Sequence, residues 1–347
     1  MTTTAPVIGT GDACLTRVGP GLVTLGSAAR TLEVRADDEV AAELHRLIDQ
    51  VLPLFAFPSA PGELDPGDLE LYDKYRELIE RLDLVRTPRA EVLERMITPA
   101  HSGLYRYLAR HSSAPDERFL AVLDRQVVLH GPTAYVRRLS RIVSEQGLAV
   151  EVGLDWRPGD PLPQPAPGEN GVTVMVAMQG GASVADWRAV NQAHQNSGRL
   201  WAPVLVTPAD VRLGPWTAPG ESACPTCLER GGATDSGSLV PAWSAGSAGS
   251  GASGGRVGAS SVGAASSVGA AWAAWATTQA AMVHWTGGVL AHLLLRIAAP
   301  TGPNHPWGSL FTLDADRMRQ ESVRVWRDPA CPDCGVSGLR TPAWRDL

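Results

Sequence analysis

The sequence predicts an α/β protein in two parts: an antiparallel strand meander with helices at the front, then a body of alternating strands and helices. Three observations predict it. Short strand-like segments between Gly/Pro turns occupy residues 14–34 and give way to helical patterns. From residue 126 onward, apolar runs alternate with amphipathic segments in the manner of parallel βαβ units. Finally, Cys224-Pro-Thr-Cys227 is answered far downstream by Cys331-Pro-Asp-Cys334, a spacing suited to one four-thiolate metal site. At 347 residues, the chain is long enough for two domains with separate cores.

Residues 1–12 are small and polar and are expected to be irregular. Cys14–Val18, Leu22–Leu25 and Arg30–Val34 then read as a meander turned at Gly19-Pro20-Gly21 and at Gly26–Ala29. In the third segment Leu32 and Val34 alternate with Thr31 and Glu33, the period of a half-buried strand. The isolated Cys14 reads as a small buried hydrophobe. Asp37 or Asp38 caps a helix on Val40, Leu44, Leu47, Ile48 and Val51, which Pro53 is expected to end. A second helix opens at Asp65-Pro66. Leu71, Tyr75, Leu78 and Leu82 form its core face, with Tyr72, Arg76 and Ile79 as a neighbouring, partly exposed stripe. Three strands followed by helices is the element order of a winged helix-turn-helix, placed here at residues 1–88, with a helical connector at 89–123.

The body, residues 124–347, opens with the strand Gln126–His130, a turn at Gly131-Pro132 and a helix from Thr133 to Gln146 on Tyr135, Leu139, Ile142 and Val143. Leu148–Val152 returns as a strand, completing a βαβ unit of Rossmann-like type. After a Pro-rich excursion at 158–167, the apolar run Val172–Met178 suits a central parallel strand. A helix from Ser183 to Asn196 follows, then strands at Pro203–Val206 and Asp210–Leu213. The Gly/Ala/Ser tract at about 244–270 has too little side chain to bury and reads as a disordered insertion. Ala271–Ala299 is a long apolar helix of sufficient length to span a membrane. Its Thr277, Gln279, His284, Gly287-Gly288 and His292 favour a buried helix of a soluble protein instead. Strands at Ser309–Leu313 and Ser322–Trp326 lead to the second cysteine pair.

Charge excludes one function class. The formal net charge is -6, and in residues 65–83 acidic side chains outnumber Lys74, Arg76 and Arg81, so the front lacks the basic helix that DNA requires. No nucleic-acid partner is expected; the physical alternative is peptide binding along an open strand edge. Lys74 is the only lysine, which removes lysine chemistry from everything downstream. The turn His130-Gly131-Pro132-Thr133 has a single glycine, a poor cradle for phosphate. Read singly, each CxxC is also compatible with a redox centre or a disulfide. Two matched pairs fit a structural Zn²⁺ held by Cys224, Cys227, Cys331 and Cys334, with no open position for catalysis. The N-terminus shows no basic segment leading into an apolar one, so no signal peptide is expected, and reduced, metal-bound thiols point to the cytoplasm.

The run Gly214-Pro215…Pro219-Gly220…Cys224-Pro-Thr-Cys227-Leu228-Glu-Arg230, answered by Cys331-Pro-Asp-Cys334-Gly335, resembles the E1/ThiF-like superfamily. It looks most like the leader-peptide-binding "ocin-ThiF-like" cyclodehydratase partners of azole-modified (TOMM) RiPP biosynthesis, over residues 14 to 335. The resemblance implies that the front is a RiPP recognition element, on which a precursor leader peptide adds as a strand beside Arg30, Thr31, Leu32, Glu33 and Val34. The peptide would pack against Tyr72, Arg76 and Ile79. It implies a separate YcaO-type cyclodehydratase as partner, and a body that often dimerises in such proteins. Enzymes of the superfamily adenylate a carboxylate using a Gly-rich turn and a lysine, and this sequence departs on both. The resemblance therefore implies a non-catalytic partner subunit, with an adenylating enzyme as the alternative. On this reading, proline at Val34 should disrupt the added strand.

Overall fold

A computed structural model describes residues 5–11, 13–27, 30–153, 155–156, 160–161, 171–178, 184–207, 210–231, 280–300, 305–315 and 317–335. The expected disordered tract at 244–270 and the first part of the apolar helix, 271–279, lie outside these residues. The chain divides into two compact units, Met1–Leu123 and Asp124–Leu347.

In the first unit, β2 (Cys14–Gly19), β3 (Leu22–Gly26) and β4 (Thr31–Arg35) form an antiparallel sheet in the order β2-β3-β4. The N-terminal residues depart from the expected irregular segment. Val7 and Ile8 are buried, and β1 (Ile8–Gly9) pairs antiparallel with β5 (Val85–Arg86). Two residues are too few to show a period, and their partner arrives only after the whole helical segment.

Asp37 caps α1 (Asp38–Arg46) by accepting from the Val40 N–H at 2.9 Å. Pro53 does not end the helical path. The chain continues through a π turn, Leu47–Val51, into a 3-10 turn, Leu52–Ala56, with Pro53 in the first turn, where no donor is needed. Asp65 caps α2 (Pro66–Lys74), accepting from Asp68 N–H at 2.9 Å. The second helix is not continuous. Tyr75, at φ -106° and ψ 13°, separates α2 from α3 (Arg76–Arg81). That break changes the helical phase, so Tyr72 and Ile79 enter the core beside Leu71 and Leu82, while Tyr75 and Leu78 are only partly buried. Three further helices, α4 (Ala90–Arg95), α5 (Pro99–His111) and α6 (Pro115–Leu123), complete the unit.

Cys14 is exposed, contrary to the expectation of burial. Ala13 and Leu15 pack on the core, so the alternation of β2 turns Cys14 outward, opposite Gly26.

The second unit is built on a seven-stranded mixed sheet. Its parallel part comprises β6 (Gln126–His130), β7 (Ala149–Val152), β8 (Val172–Met178) and β9 (Leu200–Val206), side by side in the order β7-β6-β8-β9. Beyond β9, the strands β10 (Asp210–Leu213), β11 (Ser309–Asp314) and β12 (Arg319–Arg324) join antiparallel. Every residue of β8 is buried, as its unbroken apolar run requires of a strand covered on both faces. The amphipathic helix α7 (Thr133–Ser144) buries Tyr135, Val136, Leu139 and Val143. The described part of the apolar helix, α10 (Ala280–Ala298), is by length and composition apolar enough to cross a membrane. It nevertheless buries Met282, Val283, Leu290 and Leu294 within the unit. A Cβ on Gly287 would lie 2.7 Å from Ile142, so α10 and α7 meet at close range. α8 (Val184–Ser197) joins β8 to β9, and the short α9 (Pro225–Arg230), which carries the first cysteine pair, lies between β10 and α10.

Candidate metal centre and open strand edge

The four cysteines arrive from two directions. Cys224 stands at the N-terminal boundary of α9 and Cys227 in its first turn, with Pro225 at the position where a helix needs no donor. The second pair follows β12 in a tight turn: Cys331 N–H bonds Asp328 O at 3.0 Å and Gly335 N–H bonds Cys331 O at 2.8 Å. A Cβ at Gly335 would overlap the Cys331 carbonyl, which accounts for the glycine after the last cysteine. Gly214, at φ +108°, approaches Ser309 O equally closely and brings the chain off β10 toward the first pair.

All four side chains are buried, and their sulfurs lie within 4.8 Å of one another. Cys224 Sγ is 3.9 Å from Cys227 Sγ and 3.8 Å from Cys331 Sγ, and Cys227 Sγ is 3.2 Å from Cys334 Sγ. Thiolates about 2.3 Å from a central ion define a tetrahedron with edges of about 3.8 Å, so the set is compatible with a metal site. The shortest separation exceeds a disulfide bond by more than an ångström, and all four thiols are free. One cluster, rather than two separate pairs, is what the fold makes of them. Cys224 donates to Cys227, which pushes the Cys224 thiol up and holds Cys227 well below the ordinary thiol range.

Around the sulfurs lies a polar collar. The variable residues of the two pairs meet, the Thr226 hydroxyl donating to Asp333, and Arg188 of α8 lies 3.7 Å from the same carboxylate. Arg230 spans the two pairs, with Asp328 at 2.9 Å and Ala330 O at 3.2 Å. Arg327 Nε donates to Cys334 O at 3.0 Å, and its Nη1 to Gly220 O. Asp328 N–H points at Cys227 Sγ at 3.4 Å. None of these supports repeats a spacing, so the sequence carries no sign of Arg188 or Arg327, and Arg230 stands at the end of the Cys224–Arg230 run without its bridging role being legible there.

The second candidate is an edge. Ser27 N–H donates to Arg30 O at 2.7 Å and Ala36 N–H to Gly21 O at 3.1 Å. Hydrogen-bonded pairs alternate along an antiparallel ladder. The register then bonds Leu32 to Leu25 and Val34 to Val23, and leaves Thr31, Glu33 and Arg35 in the non-bonded pairs. The N–H and C=O groups of these three residues point away from β3, and no described strand pairs with them. Leu32 and Val34 turn their side chains to the core, while Thr31, Glu33 and Arg35 are exposed. Arg30 Nη1 donates to Arg81 O at 2.8 Å and ties the start of β4 to the end of α3. Of the helix residues singled out with this edge, Arg76 is exposed, pairs with Asp73 and lies over the Tyr72 ring, its guanidinium 5.9 Å from the ring centre. Tyr72 and Ile79 themselves are buried in the core.

The lone glycine of the βαβ turn has a structural reason. Gly131, at φ +138°, runs so close to β8 that a Cβ would collide with the Val176 carbonyl. His130 is buried beside it, and burial lowers its pKa.

No protein-family model and no curated protein sequence matches the chain. Among solved structures, it is similar to a heterocyclase in complex with substrate and cofactor, with TM-score 0.52 and 14% identity over 96% of this chain and 40% of that one. The heterocyclase TruD gives TM-score 0.49 and 15% identity over 95% and 43% of the two chains. This chain thus spans about two-fifths of the length of those heterocyclases. E. coli MccB with AMPCPP and MccA gives TM-score 0.50 and 11% identity over 95% and 99% of the two chains. At 11–14% identity the likeness is one of fold, and the chain shares that fold with the substrate-bound heterocyclase and with MccB.

Proposed function

We propose that this chain captures the leader peptide of a ribosomally made precursor as an added strand on β4. It delivers that peptide to, and activates, a separate YcaO-type cyclodehydratase, which forms azolines on the way to a thiazole- or oxazole-containing product. The observation that carries the reading is the row of outward main-chain groups at Thr31, Glu33 and Arg35, three consecutive edge positions with no partner strand among the described residues. Strand addition draws affinity from such groups and register from side-chain pockets. Arg30, Thr31, Leu32, Glu33 and Val34 form the receiving strand. Arg76 offers a cation on the helical side, and Tyr72 and Ile79, buried in the core, support that face from within. The fold likeness to a heterocyclase solved with its substrate, and to MccB solved with MccA, supports a place in peptide-modifying chemistry of this kind.

In this reading, the first unit acts as a RiPP recognition element of winged-helix type and the second as an E1/ThiF-like scaffold, able to pair with a second copy. The four thiolates hold Zn²⁺, the ion suited to an all-cysteine tetrahedral set. Four protein ligands leave no position for water, so the ion is structural.

An adenylating enzyme is the second reading, favoured by the fold likeness to MccB, which was solved with the nucleotide analogue AMPCPP. Against it stand Gly131, committed to close strand packing, and the absence of any lysine after Lys74. Two assays separate the readings. Fluorescence polarisation with a labelled leader, taken from a precursor encoded beside this chain, should show saturable binding. ATP–pyrophosphate exchange by the purified chain should stay at background, and robust exchange would overturn the scaffold role.

A further inference from the structure

Two cavities in the first unit differ in their charge balance. The larger, of about 530 Å³, contains Arg89 matched by Asp116 and Glu117, and the Tyr105 hydroxyl donates to Asp116 at 2.6 Å. Its cations are answered from within. The smaller, of about 310 Å³, opens where the turn into β4 meets the end of α3 and the last turn of α5. Arg30, Arg86 and Arg110 line it, and Asp83 is its one carboxylate.

Asp83 is already taken, since Arg86 Nε donates to its Oδ1 at 3.0 Å. Arg30 is held by the Arg81 carbonyl at 2.8 Å, and Arg110 by Thr10 O at 2.8 Å and Gly11 O at 2.5 Å. Carbonyls fix a guanidinium in place without cancelling its charge. Three arginines against one aspartate leave the lining with an excess of two positive charges when His111 is neutral. Each guanidinium carries five donors in a planar fork, and only some of those on Arg30 and Arg110 are used within the protein. Fixed, partly satisfied guanidinium groups match a carboxylate in both charge and geometry.

We propose that this cavity receives an Asp or Glu side chain of the peptide that adds to β4, so that the chain selects for an acidic residue where the added strand passes Arg30, on the face that Leu32 and Val34 share. The proposal rests on the strand-addition reading and gives it a sequence preference. Position supports it: Arg30 directly precedes β4, and Thr31 presents the first outward main-chain groups of the edge. The volume suffices for one carboxylate side chain with its water.

The test pans a displayed library of random twelve-residue peptides on the full chain. Selected peptides are then measured by fluorescence polarisation. They should share an Asp or Glu at one fixed position, and changing it to Asn or Gln should weaken binding about tenfold. In Arg30→Glu the lining charge falls from an excess of two to zero, and the tenfold preference should fall to about one. Arg30 is exposed and its loss removes one hydrogen bond, so circular dichroism should show an unchanged fold. Equal binding of acidic and amide peptides to the parent chain, with binding still removed by Glu33→Pro, would overturn the pocket and leave strand addition standing. Failure to find any peptide whose binding Glu33→Pro removes would overturn both. Preference for a phosphorylated residue over Asp or Glu at that position would overturn the carboxylate assignment.

Discussion

Glu33 and Val34 adjoin each other in β4, yet their main-chain groups serve different partners. The N–H of Val34 belongs to the ladder with Val23, whereas that of Glu33 faces the open edge. Glu33→Pro therefore removes an edge donor at a position where a strand tolerates proline. Peptide binding should be lost in fluorescence polarisation while the urea midpoint stays close to that of the parent. Val34→Pro should lower that midpoint itself, by a ladder bond worth about 1 kcal/mol and the distortion of the ring. The sequence expectation that Val34 is the informative position is corrected by the register.

His194 sets a second expectation at this scale. It is buried against Trp201, its Nδ1 is 2.9 Å from Val190 O, and burial lowers its pKa to about 4. The unfolded chain takes up the proton near the ordinary histidine value of 6.5, so between these values the unfolded state binds more protons. The contribution is fully present above about pH 6.5 and is lost as pH falls toward 4, up to about 3 kcal/mol. Urea titrations at several pH values should show that loss, and His194→Gln should flatten it.

Among elements, the α7–α10 contact depends on one missing side chain. A Cβ at Gly287 meets Ile142 at 2.7 Å, so Gly287→Val must separate two helices that otherwise pack closely. A cost of about 1–3 kcal/mol is expected, read as a lower midpoint of chemical denaturation. A value near zero would mean that the helices can part freely. The same scale shows why helix α2–α3 was only half legible. Its start is written in Asp65 and Pro66, but nothing in Lys74-Tyr75-Arg76 announces a break, and that break decides whether Tyr72 and Ile79 face solvent or core. Strand β1 escaped for the opposite reason, being too short to carry a period.

For the whole molecule, the cysteine cluster is a long-range fastener within the second unit. It joins α9 to the turn after β12, and the Thr226–Asp333 and Arg230–Asp328 contacts run parallel to it. Metal bound to the folded state alone stabilises it by mass action, about 4 kcal/mol at a thousandfold excess over the dissociation constant. The purified chain should contain one zinc per polypeptide by elemental analysis, and a strong chelator should lower its melting temperature markedly. Cys331→Ser should abolish the metal, whereas Thr226→Val should retain it with a smaller loss of stability. If Cys331→Ser keeps its zinc, the four-thiolate site is wrong.

What the sequence determined by itself are the features whose signal is local: caps at Asp37 and Asp65, the alternation of Leu32 and Val34, the unbroken apolar run of β8, and two CxxC turns that only one another could complete. These follow from side-chain chemistry within a few residues. The tertiary structure decided what depends on distant partners: the antiparallel half of the mixed sheet, the outward turn of Cys14, and the burial of Tyr72 and Ile79. It also decided which edge groups of β4 remain open and that arginines from three separate segments line one cavity. Direction of pairing, helical phase across a break and the company a charge keeps are set by packing between segments far apart in the chain, and no local pattern encodes them.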